Sequence, residues 1–152
     1  MENHQTVSKL DLDLFIDIRA NVRRFMQYCA ERYDGDFALL DIAPQVHEGS
    51  APFFKQARIS TFDLDPKSKA TYIADLCHCN RDLIPDNSYD RIVCTEVLEH
   101  TLNPFSAVRE IFRLLKPGGL VFITTPFNFR IHGPLPDCWR FTEHGLRELL
   151  SN

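Results

Sequence analysis

The sequence lacks the features of a membrane-embedded or secreted protein. None of its apolar runs approaches the length of a membrane span, and its first residues carry no signal-peptide pattern. The five cysteines are an odd number, and without a secretory signal they indicate reduced thiols rather than a disulfide framework. We therefore expect a cytoplasmic protein that makes no contact with a membrane.

The sequence also lacks an excess of basic residues, a phosphate-binding loop and Cys or His residues at the spacing of metal ligands. The 17 Lys and Arg residues stand against 21 Asp and Glu, which gives a formal net charge of −4 and no electrostatic reason to expect a nucleic-acid partner. No Gly-Lys-Ser/Thr loop for a nucleoside triphosphate occurs. The triplet Cys77-His78-Cys79 is too tight for zinc geometry, and no second Cys/His pair follows at ligand distance. We predict no metal site.

The length of 152 residues fits one domain with a substantial core. Apolar residues recur at helical spacing from Leu14 to Tyr33, and Gly35 is placed to end that helix. We expect an N-terminal helical segment over residues 1–35 and an α/β core over residues 36–152.

Short apolar runs, three of them ending in an acid, follow this helix and predict buried strands. They are Phe37–Ile42, Ile59–Asp63, Tyr72–Asp75, Tyr89–Cys94 and Leu120–Thr125. Asn103-Pro104 is a strong helix start, and a last helix is expected from Thr142. Strands separated by helices indicate an α/β protein with a doubly wound, mostly parallel sheet, which binds ligands beyond the carboxyl ends of its strands.

An ordered series of segments resembles the class I S-adenosylmethionine-dependent methyltransferases, especially the methyltransferase type 11 group. The segments are Leu39-Leu40-Asp41-Ile42, Phe62-Asp63, Ala74-Asp75, Ile84-Pro85-Asp86-Asn87-Ser88-Tyr89-Asp90, Glu96-Val97-Leu98-Glu99-His100, Arg113-Leu114-Leu115-Lys116-Pro117-Gly118-Gly119 and Thr125-Pro126…His132…Pro136-Asp137…Arg140-Phe141-Thr142. The resemblance covers residues from Ala38 to about Leu150. It implies a Rossmann-like methyltransferase fold and S-adenosyl-L-methionine as the cofactor.

The resemblance also implies which residues hold the cofactor. Asp63 would accept hydrogen bonds from the ribose hydroxyls, with Asp65 as a competing neighbour, because a carboxylate can accept from both hydroxyls of a diol. Asp75, with Leu76 beside it, would meet the adenine, although Asp75 also suits a helix N-cap. Glu96 would lie near the methionine part.

The first cofactor loop departs from the family pattern. The family has Asp-x-Gly-x-Gly-x-Gly, whereas this chain runs from Asp41 through Ala43 and Gln45 to His47 with every expected glycine replaced. Those glycines allow positive φ angles and close approach of the backbone to the ligand. We expect Asp41 to support the loop, Ala43 and Gln45 to contact the cofactor, and Gly49 to take over part of the turn.

Two histidines are candidates for the catalytic base. Methyl transfer from an activated sulfonium needs alignment of the acceptor and, for a hydroxyl acceptor, removal of a proton. His132 follows the fifth strand on the acceptor side of the crevice and is the first candidate, with His100 as the second. Asp137, Trp139 and Arg140 either shape the acceptor pocket or serve as an ion-pair partner and a packing residue.

The chain ends after the last predicted helix, where family members continue into two more strands. We therefore expect the sheet to lack the last two strands and a homo-oligomer to cover its exposed side. A light-scattering mass of one chain at tens of micromolar would contradict this expectation.

The predicted function is methyl transfer to a small-molecule hydroxyl or amine. The alternative is a catalytically inactive domain that serves as a binding or assembly subunit, because the loop lacks its glycines. A nicotinamide dehydrogenase shares the acid after the second strand, but the sequence has no Gly-x-Gly-x-x-Gly.

Overall fold

The computed structural model describes residues 8–44, 49–133 and 135–151. The strands in chain order are β1 Ala38–Ile42, β2 Arg58–Asp63, β3 Tyr72–Ile73, β4 Tyr89–Thr95 and β5 Leu115–Thr124. Within the described residues they form a five-stranded sheet in the order β3-β2-β1-β4-β5, and every neighbouring pair is parallel. The parallel, Rossmann-like sheet predicted from the apolar runs is therefore confirmed.

The helices are α1 Lys9–Tyr33, α2 Pro104–Leu114 and α3 Glu143–Leu149, with a short 3₁₀ helix at Leu98–His100. α1 lies within the expected N-terminal helical segment and is longer than the apolar stripe that starts at Leu14. The helix begins at Lys9, because the side chain of Ser8 caps it by accepting a hydrogen bond from the backbone N–H of Asp11 at 3.1 Å. No helix in the described ranges is long and apolar enough to cross a membrane.

Both faces of the sheet are covered, which is why the central strands are apolar at consecutive positions. On one face Leu39 and Val93 pack with Val22 and Met26 of α1. On the other face Leu40, Ile42 and Ile92 pack with the apolar side of α2. Full burial of such a side chain stabilises the fold by roughly 1.5 to 3 kcal/mol. The two helices thus make the sheet doubly wound.

The fifth strand begins earlier than predicted. α2 starts as expected, with Asn103 accepting from the backbone N–H of Ser106 at 3.1 Å. The chain then passes directly into β5 at Leu115, not at Leu120 after a turn. Leu115 pairs with Tyr89, and a register irregularity follows on β4 before the pairing resumes. The Pro-Gly-Gly sequence, which is typical of turns, is accommodated inside the strand by that irregularity.

Turns rather than helices connect the first four strands within the described residues. The β2–β3 connection is a turn around Pro66, where the Asp65 side chain accepts from the backbone N–H of Lys67 at 2.8 Å. Between β4 and β5 the chain forms the 3₁₀ helix and α2. Among the described residues, helices therefore separate only β4 from β5. β3 and β5 are the edges of the described sheet, and the homo-oligomer stays a prediction.

Candidate active site

Acidic side chains gather at the carboxyl edge of the sheet. Asp41 lies in β1, Asp63 ends β2, and Asp75 and Glu96 follow β3 and β4. Because all these strands are parallel, their carboxyl ends share one edge. The structure therefore brings together the acids that the sequence assigned to the cofactor.

Asp41 holds the loop after β1. Its buried carboxylate accepts hydrogen bonds from the backbone N–H of Ser50 at 2.6 Å and from the Ser50 hydroxyl at 2.7 Å. Burial raises the pKa of Asp41, and the hydrogen bonds from Ser50 oppose that rise. This geometry agrees with the expected supporting role of Asp41.

Ala43 adopts the backbone conformation for which the family uses a glycine. Its φ angle is 51°, and its N–H donates to the carbonyl oxygen of Phe62 at 2.7 Å. An alanine in this left-handed region costs about 1 kcal/mol. The turn after β1 is therefore retained without its glycine. Gln45 and His47 lie outside the described residues.

Gly49 adopts a positive φ angle next to Asp41, in line with the expectation that it takes over part of the turn. Its φ angle is +59°, and a Cβ at this position would lie 2.5 Å from the Oδ2 of Asp41 and 2.7 Å from the Cβ of Pro44. Only glycine fits such a position. The loop thus has a glycine at a different place from the family pattern.

We expect Gly49→Ala to lower the free energy of unfolding by roughly 2 to 4 kcal/mol, because crowding adds to the strain of the positive φ. Gly118→Ala is the matched control. Gly118 has a φ of +78°, but nothing lies within 4 Å of an added Cβ. It should lose only about 1 kcal/mol. Urea unfolding measures both variants, and equal losses would show that the Asp41–Gly49 contact is unimportant.

Asp63 and Asp65 occupy different surroundings. Asp63 is buried, and its Oδ1 accepts from the backbone N–H of Asp65 at 2.8 Å. The side chain of Asp65 is exposed in the turn after β2. Asp63 is the one that ends the strand at the carboxyl edge, where the sequence placed the ribose contact.

Asp75 caps a turn rather than a helix. Its Oδ1 accepts from the backbone N–H of Cys77 at 2.8 Å, and its Oδ2 lies 3.1 Å from the Nδ1 of His78. Leu76 is buried against the core cluster that contains α2. The capping role of Asp75 is present, so its adenine contact stays a prediction.

Glu96 lines a cleft of about 390 Å³ between α1 and the ends of β4 and β5. Residues of α1 form one wall, namely Ile18, Asn21, Val22 and Phe25. Glu96 has a φ of 55°, and its N–H donates to the carbonyl oxygen of Thr124 at 2.9 Å. Burial raises the pKa of Glu96, while the Thr124 hydroxyl and Arg19 of α1 oppose the rise. The contribution of α1 was missed because its apolar spacing indicates only a packed helix.

The carboxylate of Asp137 orients His132. Its Nδ1 lies 2.9 Å from the Oδ2 of Asp137, and its backbone N–H donates to the same oxygen at 2.9 Å. Arg140 pairs with both oxygens of Asp137, with Nη2 to Oδ2 at 2.7 Å, and these hydrogen bonds hold the pKa of Asp137 well below its usual range. Of the roles left open for Arg140, the ion pair is therefore the one observed. Trp139 donates its indole N–H to the carbonyl oxygen of Thr101 at 2.8 Å.

The two candidate bases lie side by side. The rings of His100 and His132 meet edge to face with centroids 4.9 Å apart. The Nδ1 of His100 lies 2.9 Å from the carbonyl oxygen of Pro136. Both rings are close enough to Glu96 to influence its charge. His100 follows β4 and His132 follows β5, so the pair lies beyond the carboxyl ends of these two strands.

Glu99 is a site residue that sequence reasoning missed. Its side chain is 0% exposed, and neither carboxylate oxygen has a hydrogen-bond partner among the described residues. The Nε2 of His100 lies 3.8 Å from its Oε1. Burial raises the pKa of Glu99 to about 8. Cys138 and Trp139 cover it by donating their backbone N–H groups to its carbonyl oxygen.

Comparison with known proteins agrees with this architecture. The methyltransferase domain family model matches residues 14–151, and the chain belongs to this family. The resemblance to class I S-adenosylmethionine-dependent methyltransferases is thus confirmed.

Curated relatives match over shorter stretches. The ubiquinone biosynthesis O-methyltransferase of Vibrio cholerae serotype O1 is 37% identical over 62 residues, which are 41% of this chain and 25% of that protein. The enzyme of the same name from Pseudomonas savastanoi pv. phaseolicola is 49% identical over 37 residues, which are 24% of this chain and 16% of that protein. The matches span about a quarter or less of these relatives' length.

Solved structures share the fold. The [4+2]-cyclase SpnF matches with a TM-score of 0.65 and 22% identity, over 84% of this chain and 54% of that one. A SAM-dependent methyltransferase from Aquifex aeolicus matches with a TM-score of 0.55 and 15% identity, over 89% of this chain and 77% of that one. At these identities the likeness concerns the fold alone, and one fold hosts more than one chemistry.

Proposed function

We propose that this chain transfers a methyl group from S-adenosylmethionine to a hydroxyl group of a small-molecule acceptor. The observation that carries the proposal is the His132–His100 pair, whose rings meet edge to face on the segments that follow β5 and β4, beyond the strand ends where the acids lie. The acids that would bind the cofactor and the histidine that would accept the proton then lie in one crevice. An amine acceptor would use the same crevice.

The acids suit the cofactor better than a phosphate ligand. Asp63 would accept from the two ribose hydroxyls, and Asp75 with Leu76 would meet the adenine. Glu96 and Asp41 would face the methionine part, whose ammonium and sulfonium are cationic. The cleft beside Glu96 has a largely apolar wall from α1, which would pack against the bound methionine part.

The chemistry needs one proton acceptor. The methyl carbon leaves the sulfonium sulfur as its C–S bond breaks, and the acceptor oxygen forms the new C–O bond. The acceptor proton passes to the Nε2 of His132, because Nδ1 is occupied by Asp137. Positioning of the acceptor against the methyl group supplies much of the acceleration. His100 is the second candidate for the base.

An oxygen acceptor is favoured over nitrogen by the names of the relatives. Two relatives are O-methyltransferases of ubiquinone biosynthesis, although the matched stretches are short. The homo-oligomer and the cytoplasmic location belong to the proposal as expectations from the sequence.

Incubation with radiolabelled S-adenosylmethionine and a panel of hydroxylated and amine acceptors tests the proposal. We expect labelled product and equimolar S-adenosylhomocysteine with a hydroxylated acceptor. Cofactor binding without transfer to any acceptor would instead favour the binding-subunit alternative.

A further inference from the structure

The Glu99 carboxylate is buried in a way that a structural role does not explain. It is 0% exposed, and neither of its oxygens is hydrogen-bonded within the described residues. Buried charged groups are normally paired or coordinate a metal ion. Two imidazoles lie beside it, and no Lys or Arg of the described residues is hydrogen-bonded to it. An unbonded carboxyl group beside two imidazoles is a set of donors that can hold a cation.

The two imidazoles both present Nε2 as an acceptor. Nδ1 of His100 faces the carbonyl oxygen of Pro136, and Nδ1 of His132 faces the carboxylate of Asp137, at 2.9 Å in each case. A carbonyl and an ionised carboxylate only accept, so the proton of each neutral ring sits on Nδ1. The free lone pair is then on Nε2. Metal-binding histidines have this arrangement, in which a carbonyl or carboxylate fixes the tautomer.

The potential ligand atoms converge. One atom each from Glu99, His100 and His132 lies within 4.8 Å of the other two, and the Nε2 of His100 is 3.8 Å from the Oε1 of Glu99. Ligands at ~2.1 Å from a metal ion lie roughly 3 to 3.5 Å apart. Small rotations of these three side chains would bring their ligand atoms to the spacing that a bound metal ion requires.

We propose that Glu99, His100 and His132 form a binding site for a divalent first-row transition-metal ion. Two imidazoles and one carboxylate suit such an ion and leave coordination positions open. The prediction of no metal site was made on Cys77-His78-Cys79 and did not consider this cluster, because His132 is distant in sequence.

The role of the ion rests on the proposed function. An acceptor hydroxyl that occupies an open position loses its proton to water, since the ion stabilises the oxyanion. That oxyanion then attacks the methyl carbon as the C–S bond breaks. With the ion bound, His132 is a ligand, and it acts as the base only in the metal-free protein.

Titration with Co²⁺ tests the site without any catalytic assay. The protein is freed of metal with a chelator, and visible absorption and equilibrium dialysis follow Co²⁺ uptake. We expect one Co²⁺ per chain. Glu99→Gln and His132→Asn should each weaken binding at least tenfold, and Asp137→Asn by 10- to 100-fold because it frees the ring of His132.

His144→Asn is the matched control, because His144 is exposed on α3 away from the cluster. It should bind Co²⁺ as the unaltered chain does. Absence of uptake by the folded chain, or equal uptake by His132→Asn and His144→Asn, would overturn the proposal. Circular dichroism checks folding, and the partly exposed His132 gives a usable variant if Glu99→Gln does not fold.

Calorimetry with S-adenosylhomocysteine on the metal-free protein separates the two proposals. Co²⁺ uptake without cofactor binding keeps the metal site and removes the methyltransferase function. Cofactor binding without Co²⁺ uptake removes the metal site and leaves the methyltransferase function standing.

Discussion

Asp63→Asn is expected to weaken the binding of S-adenosylhomocysteine roughly thirtyfold, equivalent to about 2 kcal/mol. A carboxylate accepts charge-assisted hydrogen bonds from both ribose hydroxyls, whereas the Asn amide has one oxygen. That oxygen keeps the hydrogen bond from the backbone N–H of Asp65, so the turn after β2 is preserved. Isothermal titration calorimetry measures the change.

Asp65→Asn is the control for this variant. Its side chain is exposed and accepts from the N–H of Lys67, a contact that the Asn oxygen maintains. Its cofactor affinity should stay within about twofold of the unaltered chain. A larger loss for Asp65→Asn than for Asp63→Asn would move the ribose contact to Asp65.

His132→Ala is expected to lower kcat by roughly 100- to 10,000-fold, while the Kd for S-adenosylhomocysteine changes little. In the proposed function the imidazole would act on the acceptor, as base or as metal ligand, whereas the cofactor would bind to the acids at the strand ends. Steady-state kinetics with the acceptor found by the panel measures kcat, and calorimetry measures Kd.

His144→Ala, on the exposed face of α3, should keep full kcat. His100→Ala distinguishes the two candidate bases, because the residue that takes the proton should show the larger loss. Retention of kcat within twofold in His132→Ala would contradict its role in the reaction.

The positions of the strands along the chain were largely predictable from local sequence. Runs such as Leu39–Ile42 are apolar at every position but the acid, because helices cover both faces of the sheet. Local signals also gave the cap at Asn103. Local signals failed at the start of β5. Leu115 pairs with Tyr89 of β4, so Pro117 and the two glycines after it lie within the strand rather than in a turn before it.

The residues of the candidate site also fall into those that local sequence predicts and those that it does not. The acids at the strand ends were predictable because parallel strands bring their carboxyl ends to one edge. Glu99 was not, because its burial depends on the segment that contains Cys138, which is distant in sequence and closes over it. The α1 wall of the cleft was missed for the same reason, since helical spacing does not tell which part of a helix faces a ligand.

Calorimetric titration of the unaltered chain with S-adenosylhomocysteine tests the central claim most directly. A crevice with Ala43 in the left-handed conformation and Asp63 at the end of β2 should bind one cofactor per chain. We predict a saturable heat with a micromolar Kd. No detectable heat at millimolar ligand, with the protein folded, would contradict the claim that this domain binds the cofactor of its family.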